Sequence, residues 1–314
     1  MTRYGVLLPT FDPLRAGGGW PVAQAARTAE ELGFDAVWVG DHLASPAPVL
    51  DAPSCLAAAA VVTERVSLGL SVMLLALRPP AWAAKQLTTI DALSGGRLVL
   101  GVGVGGEFPD EFAAAGVPVS ERGRRVDETL SVLPALLTGH PVKHAGRVLS
   151  LDVPRLEPAM AEPPTIFVGG RSERAMQRAV RYGDAWLPMW LEPDNVAQQA
   201  DVLAQLSAQQ GRAAPKIALL LGVRVDDDLE RARGEAAAHL HGLYRLPLHV
   251  VARWTPLGGV ERVAEHVEAY RAAGVSEFMF MPLGSDPIGQ YERLAEVRAL
   301  VSSGGHHAGR EARR

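Results

Sequence analysis

The sequence predicts an α/β fold, a (β/α)8 TIM barrel of parallel strands. Three observations lead there. Short and almost continuously apolar runs recur along the chain, amphipathic stretches separate them, and eight such runs fit within the 314 residues. Strands that are apolar on both faces belong to a parallel sheet covered by helices. Eight βα units close such a sheet into a barrel. A doubly wound open sheet is the alternative.

The elements follow in order. The first strand, 4–9, begins almost at the N-terminus. A helix over 21–32 is closed by Gly33, in the place of a C-terminal glycine cap. Strand 36–40 leads to helix 52–62, strand 66–75 to helix 81–93, and strand 97–104 to the long helix 122–137, which Thr138-Gly139 terminates. Residues 139–164 break the rhythm with five prolines and one short run at 148–153. They are expected to form an insertion between the fourth helix and fifth strand, with a small hairpin. Strand 165–169 runs into helix 173–182, strand 185–188 into helix 195–209, and strand 217–225 into helices 227–240 and 260–273. Gly274 caps the last of these. Strand 277–283 and a final helix, 287–301, complete a single domain over 1–301.

Composition narrows the function. Hydrophobic residues make up 48% and charged residues 21%, which suits a globular chain with a large core. A net charge of −4 with no basic face argues against nucleic acid as a partner. The single cysteine, Cys55, sits in an apolar run and reads as a small buried hydrophobe in a reducing cytoplasm. No apolar run reaches the ~18 residues of a membrane helix, and the N-terminus lacks the layout of a signal peptide. The expectation is a cytoplasmic protein without a membrane partner. The Gly-, His- and Arg-rich tail, 302–314, is expected to be disordered, and its His306 and His307 read as polar tail rather than metal ligands.

Chemistry in a barrel sits at the C-terminal strand ends, so those ends are the informative places. The fourth strand dissolves into glycines and stops at an acid, Leu98-Val-Leu-Gly-Val-Gly-Val-Gly-Gly-Glu107. Alternate glycines, Gly101, Gly103 and Gly105, clear one side of the strand, where a large flat body would fit. Gly101, Gly103 and Gly106 also spell a dinucleotide fingerprint with Asp127 about twenty residues on. The context fails: Pro109 and an Ala-Gly-Val-Pro stretch follow instead of a helix, and Asp127 falls inside one. The second strand ends at Asp41-His42, an acid beside an imidazole, readable as a proton-transfer pair or as a helix cap beside a packed ring. The fifth ends at Gly169-Gly170-Arg171-Ser172 just before a helix. That places converging amides, the Ser172 cap and the Arg171 and Arg174 charges where a phosphate would bind; a plain capped turn is the bland reading. Met189, Trp186 and Trp190 lie on the same rim, as pocket wall or core. No metal motif stands out. Asp41, His42 and Glu107 would be the ligands of a barrel hydrolase if they converged.

Several segments together make the chain similar to the bacterial luciferase-like family of flavin- and deazaflavin-dependent oxidoreductases. They are 29–43 (Ala-Glu-Glu-Leu-Gly-Phe-Asp-Ala-Val-Trp-Val-Gly-Asp-His-Leu), 93–106, 121–130, 168–172 and 182–186. The resemblance implies the same barrel, with a tricyclic ring over the strand ends and its phosphate near the fifth strand. It implies a non-prolyl cis peptide at Ser71–Val72 supporting the ring. Asp41, Ser71, Val72, Gly103, Gly105, Gly106, Gly169, Gly170, Arg171 and Ser172 then hold the cofactor, His42 with Asp41 handles the proton, and Glu107 is a second catalytic candidate. Many relatives carry Arg-His-Pro where this chain has Arg78-Pro79-Pro80. The resemblance favours coenzyme F420 and hydride transfer to or from a small organic substrate. The alternatives are an FMN-dependent monooxygenase using oxygen and fed by a separate flavin reductase, or a flavin-binding relative without catalysis. It also implies a homodimer. The loops 11–19, 45–52 and 139–164 are expected to shape the substrate pocket.

Overall fold

In the computed structural model, which describes residues 2–17 and 19–311 with side chains through Ser303, eight parallel strands close into a barrel. Strand β1 (Arg3–Leu7) is followed by α1 (Val22–Glu31), β2 (Ala36–Val39), α2 (Ala52–Ala60), β3 (Ser67–Leu74), α3 (Pro80–Ser94), β4 (Leu98–Gly103), a short α4 (Pro109–Ala114) and α5 (Arg122–Leu137). An antiparallel hairpin, β5 (Val142–Ala145) and β6 (Ser150–Val153), precedes β7 (Thr165–Gly169), α6 (Glu173–Tyr182), β8 (Ala185–Leu187), α7 (Pro193–Gln209), β9 (Lys216–Val225) and α8 (Leu229–Tyr244). The chain then runs through α9 (Leu248–Val251), β10 (Leu257–Gly258), α10 (Val260–Ala272), β11 (Val275–Pro282) and α11 (Pro287–Glu311). The ring reads β1-β2-β3-β4-β7-β8-β9-β11 and closes where β11 pairs with β1. Closure leaves the eight-stranded ring itself without a free edge and removes the open-sheet alternative.

Strand parity sorts the apolar side chains into two cores. On β2, Val37 and Val39 pack outward against the helices, whereas Ala36 and Trp38 point into the lumen. The lumen is filled rather than hollow. Trp38 is fully buried and lies 5.5 Å from the Phe167 ring. Glycines make room for it: a Cβ at Gly69 would fall 1.9 Å from the Trp38 ring, and one at Gly5 would fall 2.5 Å from its Nε1. An aromatic side chain of this size removes roughly 150–250 Å² from water. At about 25 cal/mol per Å² that is worth ~4–6 kcal/mol before entropy is counted.

Two short elements depart from the sequence reading. Helix α4 starts at Pro109, directly after the glycine run, where that reading saw no helix. Proline suits a first helical turn, because that amide has no intrahelical acceptor anyway. The residues still do not form a dinucleotide site, since Asp127 lies inside α5 and pairs with Arg178 at 2.6 Å. The insertion at 139–164 does carry a hairpin, held by Glu128, which accepts from the amides of Arg147 and Leu149 at 2.9 Å each. Cys55 is buried, and burial pushes its thiol up to about 11. Among the described residues no helix is long and apolar enough to cross a membrane. Helix α11 is drawn to Glu311, but the side chains of the expected tail beyond Ser303, His306 and His307 included, lie outside the described residues.

Candidate active site

The C-terminal strand ends surround a cavity of about 780 Å³. Its base is a distortion of β3. Between Leu70 and Met73 the register against β4 slips by one residue, and the Ser71–Val72 peptide is cis, as the resemblance implies. This bulge explains the glycines of β4. A Cβ at Gly101 would meet the Leu70 carbonyl oxygen at 2.1 Å, and one at Gly103 would meet Val72 Cγ2 at 2.3 Å. Gly169 faces Val72 Cγ1 at 3.1 Å in the same sense. The side cleared by alternate glycines is therefore already occupied, by Val72 and the β3 backbone. Val72 in turn forms part of the cavity lining. These glycines make room for the bulge, and Gly103, Gly105 and Gly169 also line the cavity themselves. Ser71 Oγ beside it is buried and has no hydrogen-bond partner.

His42 stands in the cavity wall at the end of β2, edge-on to Phe108 at 4.9 Å and to Phe11 at 6.0 Å. Its carboxylate partner is not Asp41 but Glu111, on α4 and fully buried. Glu111 Oε2 lies 3.1 Å from His42 Nδ1 and also accepts from the Leu43 amide at 3.2 Å. With Glu111 engaging Nδ1, as it also accepts from the Leu43 amide, Nε2 is the ring nitrogen left to exchange a proton. Asp41 is committed elsewhere. Arg78 grips it from both guanidinium ends at 2.5 and 2.8 Å, and the Leu74 amide adds a third bond at 2.9 Å. It ties the end of β2 to the segment after β3. Arg78 makes these bonds from the position just before Pro79-Pro80.

The other expected residues fall around the same cavity. Glu107 reaches the lining as an exposed side chain. Gly105 has a φ of 61° and packs against Leu74 and Phe112, while Gly106, at 116°, lies over the Arg122 side chain and outside the lining. Gly169, Gly170, Arg171 and Ser172 all line it. Ser172 caps α6, accepting from the Ala175 amide at 3.2 Å, which leaves the Glu173 and Arg174 amides without an intrahelical acceptor. Arg171 lies over the Trp190 ring at 5.9 Å. Trp190 and Met189 belong to the wall. Trp186 belongs to the core: it is fully buried, and its Nε1 donates to the Gly170 carbonyl at 2.7 Å.

Two of the three loops expected to shape the pocket do not touch it. Residues 11–19 do contribute, but none of 45–52 or 139–164 lies in the lining. The 139–164 segment joins a helix to the next strand, so it belongs to the opposite rim of the barrel. The remaining wall comes from elements that sequence reasoning passed over, the C-terminal half of α8 and residues 281–287. There His239 is buried, and its Nδ1 accepts from the Gly284 amide at 3.1 Å. Burial lowers it to about 4, so it is a neutral ring with Nε2–H as donor. Tyr244 stands beside Trp190, ring centroids 5.3 Å apart. Burial pushes its phenol up, with the Glu107 charge acting in the same direction. Among the described residues no three metal-ligating side chains gather, and Asp41, His42 and Glu107 do not form one ligand set, since Arg78 and Glu111 engage the first two.

A filled parallel barrel, with a deep cavity at its strand ends and a carboxylate-backed histidine in the wall, defines a small-molecule enzyme. The chain matches the family described as luciferase-like monooxygenase over residues 2–249, belongs to that family, and is an oxidoreductase. It is 30% identical over 245 residues to 4-hydroxyprotoasukamycin monooxygenase of Streptomyces nodosus subsp. asukaensis, covering 73% of this chain and 66% of that one. It is 37% identical over 171 residues to the F420-dependent glucose-6-phosphate dehydrogenase of Intrasporangium calvum, covering 51% and 50%. The fold matches an F420-dependent secondary alcohol dehydrogenase in complex with an F420-acetone adduct, with a TM-score of 0.83 at 21% identity over 96% of this chain and 99% of that one.

Proposed function

We propose that the protein is an F420-dependent oxidoreductase that moves a hydride to or from a small organic substrate, with His42 handling the accompanying proton. The observation that carries this reading is the His42–Glu111 pair at the cavity. Hydride transfer between an alcohol and a carbonyl requires one proton at oxygen. A fully buried carboxylate fixes Nδ1 and leaves one imidazole nitrogen for that task.

The residues present fit a tricyclic cofactor. Ser71 Oγ is a buried polar atom without a partner, beside the Val72 bulge. The N-terminus of α6, with Gly169, Gly170 and Ser172, suits the phosphate. The deazaflavin, when bound, supplies hydride chemistry without oxygen. The protein's own part is to hold the ring against Val72, exclude water with Phe11, Met189 and Trp190, and offer neutral donors from His239 on the far wall. Similarity to 4-hydroxyprotoasukamycin monooxygenase supports a second reading, FMN with oxygen. Titration with F420 and with FMN, followed by fluorescence, separates them. Binding of F420 together with loss of turnover but not of binding in His42→Ala is the expected result. Binding of FMN alone would refute the deazaflavin reading.

A further inference from the structure

A second hollow of about 830 Å³ lies beside the active cavity and opens between α5 and α6. Arg122 and Ser172 line both spaces, so the two adjoin at the N-terminus of α6. The hollow is rich in arginine, with Arg122, Arg124, Arg174, Arg178 and Arg181, against a single carboxylate, Asp127. That concentration runs against a chain whose net charge is −4. Asp127 is already engaged by Arg178, at 2.6 and 3.1 Å. Arg124, Arg174 and Arg181 have no carboxylate partner among the described residues. Arg174, Arg178 and Arg181 are spaced to share one face of α6, so their like charges stand close together. Such a face is relieved by a ligand carrying several negative charges along an extended chain.

We infer that this hollow receives the acidic tail of the cofactor, the run of glutamyl carboxylates that F420 carries beyond its phosphate. The inference rests on the deazaflavin reading above and deepens it. A phosphate at the N-terminus of α6 would sit where Ser172 and Arg122 border both spaces. Whatever continues past that phosphate enters the arginine-lined hollow. FMN ends at its phosphate and would leave the hollow without a function; F420 does not end there. Arg124 and Arg181 then act on the tail and not on the ring, which makes tail recognition separable from ring recognition.

The test compares F420 bearing several glutamates with the same cofactor trimmed to no glutamate, each titrated by fluorescence into the intact protein at low salt and at high salt. Exposed guanidinium–carboxylate pairs are individually weak, and several together amount to about a tenfold gain at low salt. The expected result is about tenfold tighter binding of the tailed form, lost at high salt. The double variant Arg124→Glu/Arg181→Glu should lose that gain while binding the trimmed form as wild type does. Both side chains are exposed, and circular dichroism checks that the variant is folded. Equal binding of the two forms by wild type overturns the inference and leaves the deazaflavin reading standing. So does a variant that weakens both forms alike. If neither form binds and FMN does, the deazaflavin reading falls and the inference falls with it.

Discussion

Alanine at Gly103 should be tolerated only when Val72 is made smaller. The added methyl carbon would lie 2.3 Å from Val72 Cγ2 and 3.4 Å from Val72 Cβ. Overpacking of this kind costs ~1–3 kcal/mol, because side chains leave their rotamers and strands shift. Val72→Ala alone loses buried methyl contact worth about 1–2 kcal/mol. Together the two changes place the new methyl where Cγ2 was, so the double variant should recover ~1–2 kcal/mol relative to the sum of the singles. Gly101→Ala is the internal control. Its methyl would meet the Leu70 carbonyl oxygen at 2.1 Å, a backbone atom that Val72→Ala cannot move. Urea unfolding of the cofactor-free protein reads all of these, provided the slope with denaturant stays constant. Additive losses in the Gly103/Val72 pair, or no loss from Gly103→Ala, would refute the account and restore the view that the glycine faces open room kept for a ligand.

Other outcomes follow from the same geometry. Glu111→Gln keeps the size of the side chain but removes its charge from behind His42; turnover should fall by roughly 10²–10⁴, while fluorescence titration reports unchanged cofactor affinity. Arg78→Met leaves the buried Asp41 carboxylate without its bidentate partner and should cost ~3–5 kcal/mol in urea unfolding, with Asp41→Asn in the same chain recovering part of it. His239, lowered to about 4 by burial, sets a pH signature. Between about 6.5 and 4 the unfolded chain takes up a proton that the folded chain refuses, so this contribution is intact above pH ~6.5 and lost as pH falls toward 4. At ~1.4 kcal/mol per unit the loss is about 3 kcal/mol. His239→Asn keeps an acceptor for the Gly284 amide and should flatten that slope in thermal unfolding followed against pH.

The barrel was legible because its signal is repeated. Eight apolar runs and their intervening helices each carry the same message, and caps such as Gly33 and Gly274 adopt the positive φ expected of them, 78° and 103°. The rim was legible for a related reason: strand ends are points on a line, and His42, Ser71, Gly169 and Ser172 sit on them. What escaped was pairing across long separations. Nothing in the neighbourhood of His42 says that its carboxylate comes from Glu111, 69 residues later, rather than from the adjacent Asp41. Asp41 likewise belongs to Arg78, 37 residues away. His239 and Tyr244 were missed because they reach the cavity from within a helix, where a polar residue in an amphipathic pattern reads as solvent-facing. The loop 139–164 was misassigned for want of one step. A segment that follows a helix and precedes a strand opens on the far rim, whatever its composition.

Trp38 fills the lumen beneath the cavity, so nothing reaches Val72 along the axis of the barrel. The approach is from the strand-end face, with the arginine-lined hollow at its side. A body laid against Val72 with an arm in that side hollow is then held from two directions, and a smaller molecule above it can come and go while the lower one stays in place.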